Sequence, residues 1–241
     1  METKRLNKAI SETGYCSRRG ADKLIEEGKV KVNGERPELG TKVTSKDIIS
    51  VNGTVITKEV ENIYLAFNKP TGITCTTERH IKGNIIDYIN YPERIFPIGR
   101  LDKPSEGLIF MTNDGDIVNK ILRSKNSHEK EYIVSVNRKI TDDFIQRMGN
   151  GIPILDTITD KCKVSKINDT SFNIVLKQGL NRQIRRMCDY LGHEVKTLKR
   201  VRIMNISLKN LKVGEYRSFT SQELTEIQNS IAGSSKTEEA S

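Results

Sequence analysis

The first sixty positions change from helical to alternating hydrophobic spacing, and that change predicts their elements. Leu6, Ala9, Ile10 and Thr13 share one helical face over residues 4–13, with Gly14 placed to stop the helix. Ser17 can cap a second helix whose apolar face is Ala21, Leu24 and Ile25 and whose end is Gly28. Strand-like runs then follow, Val30-Lys31-Val32 before Asn33-Gly34 and Ile48 to Val51 before Asn52-Gly53, each pair of turn residues predicting a reversal. The polar run Lys58 to Asn62 breaks the pattern and reads as a linker.

Beyond the linker the elements are mixed. Ile63 to Phe67 reads as a buried strand, Asn68 to Gly72 as a turn, and Ile85 to Ile89 as a short helix after a polar loop over 76–84. An apolar run ending at Ile98 and another opening at Leu108 are expected to be strands, with the loop between them carrying Arg100 and Asp102. Helical spacing returns over 116–123 and 141–149. Strands are expected from Tyr132, over Cys162 to Val164 and over Phe172 to Leu176. Ile184, Met187, Cys188 and Leu191 form a further helical face that stops at Gly192, and a basic, strand-like run follows to Arg202. One last short helix is expected from about Ser221, and residues 226–241 read as a disordered polar tail.

A chain of 241 residues can bury a real core, yet 35% hydrophobic content and a mean hydropathy of −0.52 leave much charged, wetted surface. The net charge of +9 and pI near 9.3 favour a polyanionic partner. That charge is local: residues 177–202 hold eight Lys/Arg against two acids, whereas 203–241 hold four against five. Arg182, Arg185 and Arg186 fall near a predicted helix start, where the dipole disfavours cations, so anionic company is implied. Cys16, Cys75, Cys162 and Cys188 form no Cys-x-x-Cys and do not cluster with His80, His128 or His193, so neither disulfides nor structural zinc is expected. Asp114 and Asp116 invite a metal reading, but beside Asn113 and Gly115 a turn and a helix cap account for them better. No nucleotide-binding glycine loop is present, and no metal or cofactor is expected. The amino-terminal residues lack an apolar leader core and no run nears the ~20 apolar residues of a membrane span. A cytoplasmic protein without membrane contact, and a monomer, is expected.

Five motifs occur in order: Arg5-Leu6-Asn7-Lys8 with Cys16-Ser17-Arg18-Arg19 and Val30-Lys31-Val32-Asn33-Gly34; Lys69-Pro70-Thr71-Gly72; Gly99-Arg100-Leu101-Asp102; Lys130-Glu131-Tyr132; and Gln183-Ile184-Arg185. Each taken alone has a bland reading as a solvated face, a turn or a packed strand end. As an ordered set they resemble the pseudouridine synthases of the RsuA/RluF-type branch, most nearly the RluF-type enzymes of 23S ribosomal RNA. The branch often has an acidic residue and Thr where this chain has Pro104 and Ser105.

The resemblance implies an α+β protein: an S4-like RNA-binding domain over 1–61, then a catalytic domain over 62–225 with a mixed, largely antiparallel sheet and a central cleft. It implies isomerisation of a uridine flipped out of structured RNA, with no cofactor. Asp102 would be the one catalytic carboxylate, Arg185 its ion-pair partner and Tyr132 the ring beside the base. Arg5, Lys8, Arg18, Arg19 and Lys23 would face RNA from the S4-like domain, and Arg100, Arg182, Arg186, Lys199 and Arg200 from the catalytic one. The implied target is a 23S uridine near the peptidyl-transferase region and, as in some members, the tRNA-Tyr anticodon loop. A non-catalytic RNA-binding ribosome-assembly factor and a nucleoside glycosidase using Asp102 are the alternatives.

Overall fold

A computed structural model describes residues 3–56, 60–122 and 128–232. Parts of the expected linker, the end of the helix expected to reach Arg123 and most of the expected tail lie outside these residues. The chain divides into two compact units, one formed by residues 1–63 with the short segments 91–95 and 113–115, the other by the remainder.

In the first unit β1 (Lys4–Arg5) leads into α1 (Leu6–Glu12), followed by α2 (Arg18–Glu26), β2 (Val30–Val32), β3 (Lys42–Val43), β4 (Ile49–Val51) and β5 (Thr54–Val55). The helical faces bury Leu6, Ala9, Ile10, Ala21 and Ile25 against Val30, Val43, Ile49 and Val51. Ser17 caps α2 as its sequence predicts, its hydroxyl accepting from the Gly20 amide at 3.0 Å. Both Asn-Gly pairs have positive φ at both residues, the geometry that reverses a chain in two positions. Arg5, Arg18, Arg19 and Lys23 are exposed, Lys8 reaches Glu12 at 3.6 Å, and Lys23 reaches Glu27 at 3.8 Å.

The second unit runs β6 (Tyr64–Lys69), α3 (Ile85–Ile89), β7 (Phe96–Ile98), β8 (Glu106–Thr112), α4 (Gly115–Leu122), β9 (Lys130–Val136), α5 (Asp142–Gly149), β10 (Pro153–Ile154) and β11 (Thr157–Ile158). It continues with β12 (Lys163–Asn168), β13 (Ser171–Leu176), α6 (Gln183–Tyr190), β14 (Val195–Ile203), β15 (Ile206–Ser207), β16 (Tyr216–Ser218) and α7 (Ser221–Ile231). Its main sheet has the order β12-β13-β9-β14-β8-β6-β16, with β7 on β8 and β15 on β14. Among the described residues β8 with β14 is the parallel pairing of this sheet and the rest are antiparallel, giving the mixed, largely antiparallel sheet expected from the sequence. At that junction Gly107 has φ +113°, and a Cβ there would fall 2.2 Å from the Arg200 carbonyl oxygen. No side chain fits between strands so close.

One core packs Ile117 and Ile121 of α4 and Ile227 and Ile231 of α7 against Ala66, Leu108, Phe110 and Ile203 of the sheet. Residues 226–231, read from sequence as tail, are therefore the end of a helix with two buried isoleucines. Thr220 and Glu223 form a reciprocal capping box at its start, and Arg217 grips Glu223 through two bonds of 2.7 and 2.8 Å. Phe144 of α5 meets Phe172 of β13 edge-on, with ring centroids 5.4 Å apart. No helix among the described residues is long and apolar enough to cross a membrane.

Candidate active site

The loop from Gly99 to Ser105 leaves β7 and enters β8, and it is held from several sides. The Gly72 amide donates to the Lys103 carbonyl at 2.8 Å, and the Leu101 amide to Cys75 Sγ at 3.4 Å. Lys69 ends β6 with 0% exposure, its Nζ donating to the Pro70 and Ser105 carbonyls at 2.8 Å each. Burial pulls the Lys69 pKa below the ordinary lysine value, opposed by the charges of Cys75, Asp102 and Glu106. A loop so tied presents its one carboxylate from a fixed backbone.

Across from it, Gln178 to Asn181 carries the chain from β13 to α6. Gln183, buried, accepts from the Leu180 amide at 3.0 Å and donates to Gln178 Oε1 at 3.1 Å, which shapes this turn. Arg182 sits at the helix cap with φ +49°, and Arg185 lies on the first turn. Asp102 Oδ2 stands 3.7 Å from Arg185 Nε and 3.9 Å from Arg182 Nη1. The two arginines differ in setting: the Arg185 side chain is 12% exposed and the Arg182 side chain 48%. Burial lowers the Arg185 pKa, and Asp102 acts in the opposite sense. Arg185 Nη2 also donates to Ser105 Oγ at 3.0 Å.

These groups line an open cleft whose walls include Arg100, Asp102, Ser105, Tyr132, Leu176, Leu180, Arg182, Arg185 and Leu198. The mixed polar and apolar lining suits a small planar ligand. Asp102, Tyr132 and Arg185, 30 and 53 residues apart in sequence, are thus brought together with Arg100 and Arg182. Tyr132 is almost buried, and the Arg200 guanidinium carbon lies 6.0 Å from its ring centroid.

The basic run of β14 is not a free cationic strip. Arg200, expected at RNA, is only 4% exposed and spends its Nε on the Leu108 carbonyl at 2.6 Å, so it cannot reach a phosphate. Lys199 pairs with Glu106 at 3.3 Å, and Lys196 with Glu194 at 2.9 Å. Arg202 bonds Glu131 at 2.6 Å and Glu129 at 3.0 Å. Arg186 is occupied within its own turn, donating to Asn181 through Nε and Nη2. Reading the sequence alone missed Ser105 and Gln183 as site-building residues. The signal available for Gln183 was its place three residues after Leu180 at a helix start, where a side chain can reach back to a free amide.

The RNA pseudouridylate synthase family profile matches residues 63–190, and the S4 domain profile residues 4–49. A Salmonella typhi protein described as dual-specificity RNA pseudouridine synthase RluF is 56% identical across 96% of this chain and 81% of its own length. Ribosomal large subunit pseudouridine synthase B of Bacillus subtilis is 38% identical across 92% of this chain and 95% of its own. A crystal structure of a pseudouridylate synthase superposes with a TM-score of 0.68 at 29% identity, covering 92% of this chain and 99% of that one. With these matches spanning both units and nearly the whole length, the chain belongs to the RNA pseudouridine synthases, among their RluF-type members, which isomerise uridine within RNA.

Proposed function

We propose that Asp102 is the carboxylate that acts on the ribose of the target uridine and that Arg185 holds it aimed. The supporting observation is the meeting of Asp102, Arg185 and Tyr132 around one pocket, with Arg185 nearly buried against the carboxylate. In the reaction the C1′–N1 bond breaks, uracil turns, and C5 bonds to C1′. The proton lost from C5 is balanced by one gained at N1, so the product is an isomer and no electrons are exchanged. Asp102 either attacks C1′ as a nucleophile or takes the C2′ proton as a base. In both routes one carboxylate suffices, in contrast to the pairs that hydrolytic glycosidases need. The base has to leave its stack to enter the pocket, and Tyr132 offers an aromatic wall to receive it. Arg100 and Arg182, both exposed at the rim, hold RNA phosphates in this reading, and Arg5, Lys8, Arg18, Arg19 and Lys23 of the first unit bind further phosphates.

Asp102→Asn removes charge with little change in volume, so RNA should still bind while release of tritium from 5-tritiated uridine RNA falls to background. Equal release from both forms would remove Asp102 from the chemistry. For the substrate, the relative described as a large-subunit enzyme supports ribosomal large-subunit RNA and the one described as dual-specificity supports a second RNA; in this reading they are a 23S uridine near the peptidyl-transferase region and the tRNA-Tyr anticodon loop. Mapping pseudouridine in both RNAs from cells lacking the protein tests this: the loss of one position in each is expected, and two unchanged maps would refute it.

A further inference from the structure

Ser105 closes the loop behind Asp102, and each of its polar groups is engaged inside the protein. Its amide donates to the Asp102 carbonyl at 2.9 Å, its carbonyl accepts from Lys69 Nζ at 2.8 Å, and its hydroxyl oxygen accepts from Arg185 Nη2 at 3.0 Å. At 1% exposure the residue is shielded from solvent. Arg185 Nε, also buried, has no hydrogen-bond partner among the described residues and stands 3.7 Å from Asp102 Oδ2. A guanidinium is planar, so a bond that fixes one terminal nitrogen also fixes the direction in which Nε points. Lys69 secures the other side of Ser105 from beneath the loop. The hydroxyl is thus anchored to the same short backbone segment that carries the carboxylate, and the arginine is set relative to Asp102 itself.

We infer that Ser105 is a positioning residue for uridine isomerisation, orienting the Arg185 plane so that Nε addresses Asp102. The inference rests on the assignment of Asp102 and Arg185 made above. Ser105→Ala deletes one oxygen and leaves both backbone bonds in place. Because small misplacements of a catalytic group cost rate steeply, single-turnover isomerisation should fall about 10-fold or more. RNA affinity should stay within about twofold, since the hydroxyl does not face RNA, and Ser105→Thr, which keeps the oxygen, should recover most of the rate.

A residue that merely fills space would show a different coupling. Arg185→Met cannot donate to Ser105, so adding Ser105→Ala to it should lower the melting temperature no further, whereas independent roles would add. A wild-type rate for Ser105→Ala, an equal loss of rate and affinity, or additive melting shifts would overturn the inference. Asp102→Asn, run alongside, separates the two failures: if it is inert while Ser105→Ala is normal, Ser105 alone is misassigned. If Asp102→Asn turns over normally, the underlying assignment falls.

Discussion

Arg182 and Arg185 approach the same oxygen of Asp102 from positions one helical turn apart, yet their surroundings make them unequal. Arg185 is held in a nearly dry setting where a planar fork matters, so Arg185→Lys should slow single-turnover isomerisation by about 10²-fold while RNA affinity stays near normal. Arg182 is half exposed, and Arg182→Lys should change either quantity by less than about threefold at low salt. The reverse pattern would mean that their roles are exchanged. Lys130 offers a second test. Burial and the nearby Arg200 charge depress its pKa to about 8, so between about pH 8 and 10.5 the unfolded chain binds the extra proton and stability rises with pH. Below that window the folded protein carries a buried charge. Lys130→Met should therefore stabilise by roughly 1–3 kcal/mol at pH 7, with the gain fading toward pH 10.5 in urea titrations. Arg200 shows what single residues hide from sequence. A cation in an alternating basic run reads as solvent-facing, and its burial comes from pairing with Gly107, 93 residues earlier, which no local pattern reports.

Elements whose signals are local were legible, and those stabilised from afar were not. The Ser17 cap, the Asn-Gly reversals and the stripe of α6 follow from neighbours within a few residues, and each forms as its sequence implies. The last helix shows the opposite: α7 is polar apart from Leu224, Ile227 and Ile231, and its final turns matter only because Ile98, Phe110 and Ile206 receive them. Ile227→Ala should cost about 2–5 kcal/mol of unfolding free energy, as a large-to-small change in a packed core does. A loss below about 0.5 kcal/mol would place that helix outside the core. The junction of β8 and β14 is less forgiving still. Gly107→Ala pushes a methyl group into the Arg200 backbone at positive φ, and about 3–5 kcal/mol of destabilisation is expected, read from denaturant midpoints.

At the scale of the whole molecule, the first unit adds RNA affinity and the second carries the chemistry in the reading proposed above. Arg19→Gln with Lys23→Gln, both in the first unit, should lower the log–log salt slope of RNA binding by about 0.7–0.9 for each phosphate that the protein ceases to neutralise. The single-turnover rate of fully bound RNA should be unchanged, and a slope equal to that of the wild type would mean that these side chains meet only water. The order of strands has its own consequence for how the molecule comes into being. β8 and β9 follow one another in the chain but lie on either side of β14, which is made some sixty residues after β9 begins. Until β14 slots between them, the inner edge of β9 and the Glu106–Gly107 end of β8 lack their partner, and Asp102 and Tyr132 belong to different halves. Folding that waits on so distant a pairing is slow, because loop closure precedes any reward from it. A nascent chain halted before Val195 should present the bare edge of β9 and, with β16 also unmade, that of β6 to its neighbours, and these are the states that a ribosome-bound chaperone would have to shield.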